Sequence, residues 1–335
     1  MQKCLDLAKK GLGQVTSNPM VGCIIVYKNE VIGEGYHQKY GHAHAEVNAI
    51  QSVKNKKILS KSTLYVNLEP CAHLGKTPPC ADMIIDNKIP NVVIGCVDTF
   101  SEVSGRGIAK MRKNGVNVKV NILEKESREV NKRFFTFHEK KRPYIILKWA
   151  KSLDGYIAPF NQNKPFWMTC QKSKELVHKW RTEEDAILIG RVTAQKDNPM
   201  LTSRYVNGTN PIRIVIDKEL KLSSSLNIFN NEVKTIIFNN HKDEEKNKNI
   251  FIKIDFKYLI KNILNELYKQ KIQSLIIEGG NKTLQSFIDN KIWDEARVFT
   301  ANLKLNNGLK SPIFDAKTFS CSEIEKDRLS IYINV

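Results

Sequence analysis

The chain has 335 residues, which is too long for one ordinary domain and predicts about two. Hydrophobic residues make up 41% of it and charged residues 26%, proportions typical of a folded protein with room for sizeable cores. The net charge of +18 raises nucleic acid as a partner, but the cationic residues are dispersed and no basic segment is interleaved with aromatic residues. We attribute the charge to compositional bias and to attraction for a phosphorylated substrate, and we expect no nucleic-acid partner.

Membrane insertion, secretion and a disulfide framework are each disfavoured. No apolar run approaches the roughly 20 residues that a membrane helix needs. No apolar stretch follows the charges at the N-terminus, as it would in a signal peptide. The seven cysteines are an odd number without short regular spacing, which favours thiolate ligation of a metal over disulfides. We expect a cytoplasmic protein without a membrane partner.

The first part of the chain alternates between predicted helices and strands. In order, we predict a helix over 1–12, strands at 21–27 and 31–36, a helix from His44, a strand at 63–68, a helix from Cys80, a strand at 91–97 and a helix near 108–113. Strands that alternate with helices predict a layered α/β unit with a mainly parallel sheet.

A second α/β pattern begins at Tyr144, after a charged and aromatic segment that ends in the basic linker 140–143. Strands are predicted at 144–147, 186–190, 212–216, 235–238 and 274–278, helices at 173–181, 258–270 and 280–288, and a plain polar surface segment at 241–249. We therefore expect two α/β domains, one over residues 1–143 and the other over residues 144–335.

Two short segments of the first domain carry metal-binding chemistry. One is His44-Ala45-Glu46, and the other is Glu69-Pro70-Cys71, which an eight-residue gap separates from Cys80. One imidazole and two thiolates suit a zinc ion that keeps its fourth position open for water. Glu46, near the start of the predicted helix, can reach that water without binding the metal, as in zinc-dependent nucleobase deaminases. The alternative, that these are unrelated core residues, does not explain why both motifs occur in their expected helix and strand context.

Three polar clusters in the second domain predict a ligand site. Residues 148–155 follow a strand and end in a turn, and residues 197–204 form a polar loop with an acid and a base. Residues 277–283 place two glycines between a strand and a helix, where the backbone can approach a phosphate. A glycine pair alone serves equally well in packing or in a turn, so the prediction depends on the three clusters together.

Both halves, in this order, resemble the bifunctional deaminase/reductase of riboflavin biosynthesis. The motifs that carry the resemblance are Asn18-Pro19-x-Val21-Gly22, Gly35-Tyr36-His37, His44-Ala45-Glu46, Gly105-Arg106-Gly107 and residues 69–80, whose gap between the cysteines is typical of this family. The resemblance implies a cytidine-deaminase-like three-layer α/β/α domain followed by a dihydrofolate-reductase-like α/β domain. It also implies zinc-dependent hydrolytic deamination of a phosphoribosylated diaminopyrimidine, then NADPH-dependent reduction of its ribosyl group to a ribityl chain.

The resemblance also implies functional residues at matching positions. In the deaminase, Zn²⁺ would be bound by His44, Cys71 and Cys80, with Glu46 as the proton shuttle. The substrate pocket of the deaminase would be lined by Asn18, His37, His73, Lys76 and Asp98. NADPH would contact Ala150, Trp167, Thr193, Gly280, Asn281, Lys282 and Thr283. The substrate of the reductase would contact Thr169, Arg181, Asp197, Leu201, Arg204 and Glu278.

Two positions depart from the family pattern and motivate alternatives. Thr99 follows Asp98 where the family often has proline, and Pro165 replaces a substrate-binding serine without offering a hydroxyl or an N–H. One alternative is therefore a deaminase whose reductase half is weakened or purely structural. Another is a nucleic-acid-editing deaminase, which predicts a Pro-Cys-x-x-Cys motif that this sequence lacks. We expect a small phosphorylated pyrimidine as the substrate and a homo-oligomeric protein.

Overall fold

The structure is a computed structural model that describes residues 1–15, 17–72, 78–99, 104–160 and 166–334. The chain divides into two compact units, Met1–Lys141 and Arg142–Val335. Within the described residues, no helix is both long enough and apolar enough to span a bilayer.

The first unit contains a five-stranded sheet with helices on both of its faces. Its elements are α1 (Gln2–Lys9), β1 (Gly22–Tyr27), β2 (Glu30–Tyr36), α2 (Ala45–Ser52), β3 (Thr63–Leu68), α3 (Cys80–Asp86), β4 (Asn91–Cys96), α4 (Arg106–Lys113), β5 (Asn117–Lys119), α5 (Glu124–Val130) and α6 (Lys132–Lys140). The strand order is β2-β1-β3-β4-β5. The β3-β4-β5 part is parallel, whereas β1 runs antiparallel to both of its neighbours.

Side chains that alternate along β1 show how the three layers are built. Ile25 packs in the core that includes residues of α2, α3 and α4. Its neighbour Ile24 packs with Cys4 and Leu7 of α1 instead. Successive residues of a strand point to opposite faces, so the two clusters lie on opposite sides of the sheet. The three-layer α/β/α arrangement is confirmed.

Glycine allows α2 to lie directly on β2. A Cβ atom added to Gly35 would lie 2.4 Å from the backbone nitrogen of Ala49 and 2.7 Å from the carbonyl oxygen of Ala45. Neither backbone atom can move away unless the whole helix shifts, so only glycine fits at this position. The close approach fixes the start of α2, where His44 and Glu46 lie.

The second unit is built on one ten-stranded sheet. Its elements are β6 (Tyr144–Ser152), β7 (Tyr156–Ala158), α7 (Gln171–Glu183), β8 (Ala186–Gly190), α8 (Arg191–Asp197), β9 (Ile212–Ile216), β10 (Thr235–Asn239), β11 (Glu244–Lys246), β12 (Asn249–Lys253), α9 (Leu259–Lys269), β13 (Ser274–Gly279), α10 (Asn281–Asp289), β14 (Glu295–Ala301), β15 (Leu309–Lys310), β16 (Thr318–Ile324) and β17 (Asp327–Ile333). The strand order in the sheet is β11-β12-β10-β9-β8-β13-β6-β14-β17-β16, and β7 pairs with β15 separately. The run from β12 to β14 is parallel, and both edges are antiparallel.

Two local features of the second unit differ from the sequence prediction. Residues 241–249 are more than a polar surface segment, since Glu244–Lys246 forms the exposed edge strand β11. Its main chain pairs with β12, and an edge strand of three exposed residues has no apolar pattern to reveal it. Asp197 is the last residue of α8 and is therefore not part of a loop.

Candidate active sites

The first unit brings His44, Cys71 and Cys80 together from three elements. His44 is the N-cap residue of α2, Cys71 follows β3, and Cys80 is the first residue of α3. The Nδ1 atom of His44 lies 3.3 Å from Sγ of Cys80 and 3.6 Å from Sγ of Cys71. One ligand atom from each of the three residues lies within 4.8 Å of the others.

These separations fit a tetrahedral zinc ion. Zn–S bonds of about 2.3 Å and Zn–N bonds of about 2.0–2.1 Å place neighbouring ligand atoms about 3.5–3.8 Å apart. Metal binding requires thiolates, and the structure favours the thiolate at one of the two cysteines. The hydrogen bond from Cys80 lowers the pKa of Cys71 to about 4, while that same bond and burial raise the pKa of Cys80. One imidazole and two sulfur atoms leave a fourth position open, as catalytic zinc sites do.

Glu46 lies in the first turn of α2, two residues after His44. Its side chain is buried, with 3% of the residue exposed, and burial raises the pKa of its carboxyl group. A raised pKa makes the carboxylate a stronger base, which suits a group that takes a proton from water.

Asn18 and His37 are joined in a hydrogen-bond chain beside the cysteine and histidine cluster. Nδ1 of His37 lies 3.1 Å from the carbonyl oxygen of Ala43, which can only accept, so this nitrogen carries the proton. Nε2 of His37 therefore accepts from Nδ2 of Asn18 at 3.0 Å. Burial lowers the pKa of His37 and favours this neutral form. The amide of Asn18 is thereby oriented so that Oδ1, an acceptor, is the atom left for a ligand.

Glu69 binds the backbone of four residues that follow β4. Its buried carboxylate accepts hydrogen bonds from the backbone N–H groups of Asp98, Gly105, Gly107 and Ile108 at 3.0–3.3 Å. These bonds place Asp98, which is 6% exposed, at the carboxyl end of the parallel strands, next to the segment that carries Cys71. A Cβ atom added to Gly107 would lie 2.1 Å from the carbonyl oxygen of Pro70, so glycine is required there. His73 and Lys76 lie outside the described residues.

Replacing Glu69 with glutamine should destabilise the first unit by about 1–3 kcal/mol, because an NH₂ group would face backbone donors and leave them unpaired. Chemical denaturation of the two proteins measures this difference. Amide hydrogen exchange at Gly105 and Gly107 should accelerate in the variant. The exposed Glu30→Gln serves as the control and should change stability by less than about 0.5 kcal/mol. Equal unfolding free energies for wild type and Glu69→Gln would contradict the role of the carboxylate.

The second unit joins Arg181 of α7 to Glu278 of β13. Nε and Nη2 of Arg181 donate to the two carboxylate oxygens of Glu278 at 3.3 and 2.8 Å, and Nη1 donates to the carbonyl oxygen of Thr202 at 3.1 Å. The two side chains are only 8% and 10% exposed. Burial alone would raise the pKa of Glu278, but the charges of Arg181 and Lys148 outweigh it and hold the pKa at about 2. Glu278 is therefore a carboxylate at neutral pH.

The turns before α8 and α10 form a glycine-lined surface. A Cβ atom added to Gly190 would lie 2.7 Å from Oγ1 of Thr283, and one added to Gly280 would lie 3.0 Å from Oγ1 of Thr193. The buried Oδ1 atom of Asn281 has no hydrogen-bond partner among the residues that the structure describes. The N-terminus of α10, two hydroxyl groups and an unused acceptor fit a dinucleotide phosphate and its neighbouring donors.

The remaining predicted residues of the second unit lie on several elements. Ala150 is on β6, and Trp167 precedes α7 with 57% of its surface exposed and Nζ of Lys174 4.1 Å from its ring centre. Lys282 lies in the first turn of α10, and Thr169 just before α7. Burial raises the pKa of Asp197. Leu201 is buried, Arg204 is exposed, and Pro165 lies outside the described residues.

Three residues with a place in these sites were given no role of their own by the sequence prediction, although Lys148 opens the predicted cluster 148–155. They are Glu69, Lys148 and His178. Lys148 interrupts the apolar strand β6, and its charge acts on Glu278, an interruption that could have drawn attention to it. Glu69 was recognised only as part of the motif that contains Cys71. No pattern in the sequence indicated a role for His178.

The two units match two described families. Residues 1–96 match the family described as cytidine and deoxycytidylate deaminase zinc-binding region. Residues 143–326 match the family described as RibD C-terminal domain, which is more than half of the chain.

Relatives and solved structures match both units together. The riboflavin biosynthesis protein RibD of Aquifex aeolicus is 40% identical over 92% of this chain and 88% of its own length. A crystal structure of a diaminohydroxyphosphoribosylaminopyrimidine deaminase/5-amino-6-(5-phosphoribosylamino)uracil reductase from Thermotoga maritima has a TM-score of 0.90 and 35% identity, covering 100% of this chain and 97% of that one. Acinetobacter baumannii RibD, at 28% identity, also has a TM-score of 0.90, with the same coverage of both chains.

A zinc-binding deaminase unit followed by a reductase unit defines a bifunctional enzyme, a hydrolase and an oxidoreductase in one chain. Its cofactors are Zn²⁺ and NADPH. The chain belongs to the RibD family of riboflavin biosynthesis proteins. The resemblance inferred from the motifs is confirmed.

Proposed function

We propose that this chain catalyses the two reactions named for its Thermotoga maritima relative. In the first, a diaminopyrimidine that carries a phosphoribosylamino group loses an amino group as ammonia. In the second, the phosphoribosyl group of the deaminated product is reduced. We assign the first reaction to residues 1–143 and the second to residues 144–335. The proposal includes a cytoplasmic location, a homo-oligomeric protein, and no nucleic-acid or membrane partner.

The proximity of His44, Cys71 and Cys80 is the observation that supports the deaminase site best. We assign these three residues as the zinc ligands. Bound Zn²⁺ supplies an activated water for attack on the ring carbon that carries the leaving amino group. Glu46 takes the proton from the water and delivers a proton to the departing amine.

Substrate recognition at the deaminase site is assigned to the residues around the zinc ligands. Oδ1 of Asn18, oriented by His37, accepts a hydrogen bond from a donor on the pyrimidine edge. Asp98, held by Glu69, contributes a carboxylate at the other side of the pocket. His73 and Lys76 retain the roles implied by the family, with Lys76 matching the charge of the phosphate.

At the reductase site, Arg204 is assigned as the main contact of the substrate phosphate. Its guanidinium has no ion-pair partner among the described residues, whereas the donors of Arg181 already bind Glu278 and Thr202. Arg181 therefore adds positive charge and holds the main chain at Thr202. Thr169 and Leu201 keep the substrate contacts that the family implies. Asp197 and Glu278 orient the polar groups of the ribose chain.

The cofactor of the reductase is assigned to the glycine-lined surface. Gly280, Asn281, Lys282 and Thr283 would hold its phosphates, with Thr193, Ala150 and Trp167 along its length. Bound NADPH supplies a hydride to C1′ of the ring-opened ribose. The residues of this chain contribute position and charge, which in oriented reactions account for much of the rate.

The proposal is tested by following both half-reactions in the same purified protein. Arg204→Ala and Asp197→Ala should each lower kcat/KM for NADPH oxidation about 10–100-fold, because hydrogen bonds to charged groups contribute about 1.5–3 kcal/mol. Ammonia release should stay within about twofold of wild type, since the deaminase residues belong to the other unit. The exposed Lys269→Ala is the matched control and should leave both rates unchanged.

The same assay separates the alternatives. Wild-type protein that binds NADPH but never oxidises it with the deaminated substrate would show that the reductase half is only structural. Deamination of single-stranded DNA or tRNA, with none of the small pyrimidine, would favour a nucleic-acid-editing enzyme.

A further inference from the structure

His178 is a buried histidine in the second unit that none of the assigned roles uses. It lies on α7 with 1% of its surface exposed. Its Nδ1 atom accepts a hydrogen bond from the backbone N–H of Arg204 at 3.0 Å. The ring of Tyr205 packs edge-on against it, with 4.7 Å between ring centres. The imidazole therefore binds the main chain of Arg204, the residue whose guanidinium is assigned to the substrate phosphate.

The segment that contains Arg204 has no regular structure of its own to hold it. It lies between α8 and β9, and Leu201 has a φ of +54°, so no helix or strand ladder fixes its course. Ser203 forms hydrogen bonds with Asn210 and Val206 within the segment, and α7 holds the segment at two further points. Arg181 donates to the carbonyl oxygen of Thr202, and His178, three positions earlier on the same helix face, accepts from Arg204.

The chemical state of His178 suits this role. Burial, together with the charges of Arg181 and Arg204, lowers the pKa of His178 to about 4, so the ring is neutral at pH 7. A neutral imidazole keeps one nitrogen as an acceptor, whereas the protonated ring has only donors. Because Nδ1 accepts, the proton of the neutral ring resides on Nε2.

We propose that His178 is a positioning residue for recognition of the substrate phosphate: its Nδ1 atom anchors the main chain of Arg204 and so aims the guanidinium at the phosphate. This inference rests on the proposed function, in which Arg204 contacts the phosphate. A fixed main chain restricts where the long side chain can reach, and correct placement is what a phosphate contact needs. A histidine that only filled space would leave phosphate recognition unaffected.

The test compares three substitutions that differ in the position of the acceptor. Asn places its amide oxygen close to the position of Nδ1, Gln reaches the position of Nε2, and Leu fills the space with no acceptor. Steady-state NADPH oxidation is measured with the deaminated substrate in its phosphorylated form and after removal of the phosphate. Thermal unfolding and the KM for NADPH report whether the second unit is intact.

His178→Leu and His178→Gln should raise KM for the phosphorylated substrate about 5–10-fold, the size expected when one hydrogen bond of about 1 kcal/mol is lost. The value of kcat and the KM for NADPH should not change. His178→Asn should stay within about twofold of wild type. With the dephosphorylated substrate, all three variants should match wild type. If His178→Leu does not fold, comparing His178→Asn with His178→Gln tests the same proposal.

Arg204→Ala, measured in parallel, separates this inference from the proposed function. If Arg204→Ala leaves KM for the phosphorylated substrate unchanged, the assignment of Arg204 fails and the inference with it. If Arg204→Ala raises KM but His178→Gln does not, only the inference fails. Equal losses for Asn and Gln, or losses of the same size with the dephosphorylated substrate, would mean that His178 serves packing alone.

Discussion

Replacing Glu46 with glutamine should lower the rate of ammonia release by about 10²–10⁴-fold, the usual contribution of general acid/base catalysis. The amide has nearly the shape of the carboxyl group but cannot take a proton from the water. Zinc should remain bound, since Glu46 is not assigned as a ligand. Ammonia release and zinc content are measured on the same preparation.

The matched control for this substitution is Glu129→Gln, whose side chain is 67% exposed. It should leave ammonia release unchanged. NADPH oxidation with deaminated substrate should be normal in both variants. A loss of less than about threefold in Glu46→Gln would be too small for the proton shuttle and would point to a different base.

Replacing Cys71 with serine should remove both zinc and deamination. A serine hydroxyl is not deprotonated near neutral pH, so the variant offers the metal one anionic sulfur instead of two. Substitution of a residue that hydrogen-bonds to a zinc ligand typically lowers metal affinity about 10–100-fold. We expect substitution of a ligand itself to lower the affinity at least as much. Zinc per chain, measured by elemental analysis after dialysis against a metal-free buffer, should fall from about one to near zero.

The exposed Cys321 provides the control for the cysteine change. Cys321→Ser should keep full zinc occupancy and full ammonia release. Cys71→Ser should keep NADPH oxidation with supplied deaminated substrate, because hydride transfer requires no metal. Full zinc occupancy in Cys71→Ser would refute the ligand assignment.

The parts of the structure that the sequence predicted depend on local patterns. The buried strands β8, β9 and β10 consist mainly of Ile, Leu, Val and Phe, and the predicted ranges agree with them to within one residue. The metal cluster could be predicted because each half of the motif places its ligand at the start of a helix or after the end of a strand. Local patterns of this kind can be recognised in the sequence without knowledge of the tertiary fold.

The parts that were missed depend on contacts between distant segments. Glu69 binds backbone groups 29 to 39 positions away, and nothing near it in the sequence marks those partners. His178 meets Arg204 from 26 positions away through a main-chain N–H, which every residue except proline has. Strands β14, β16 and β17 were not predicted, although β14 is an interior strand of the ten-stranded sheet and pairs with β6 and β17.

The carboxylate of Glu69 bears on how this chain can tolerate change in its sequence over evolutionary time. Glu69 binds four residues after β4 through their backbone N–H groups, which do not depend on the identity of the side chain. Side chains at these positions can therefore drift without loss of the hydrogen bonds. Drift stops at Gly107, where any Cβ meets the carbonyl oxygen of Pro70. A chain rich in lysine, asparagine and isoleucine can thus accumulate substitutions around this pocket, while one acidic residue and one glycine preserve its outline.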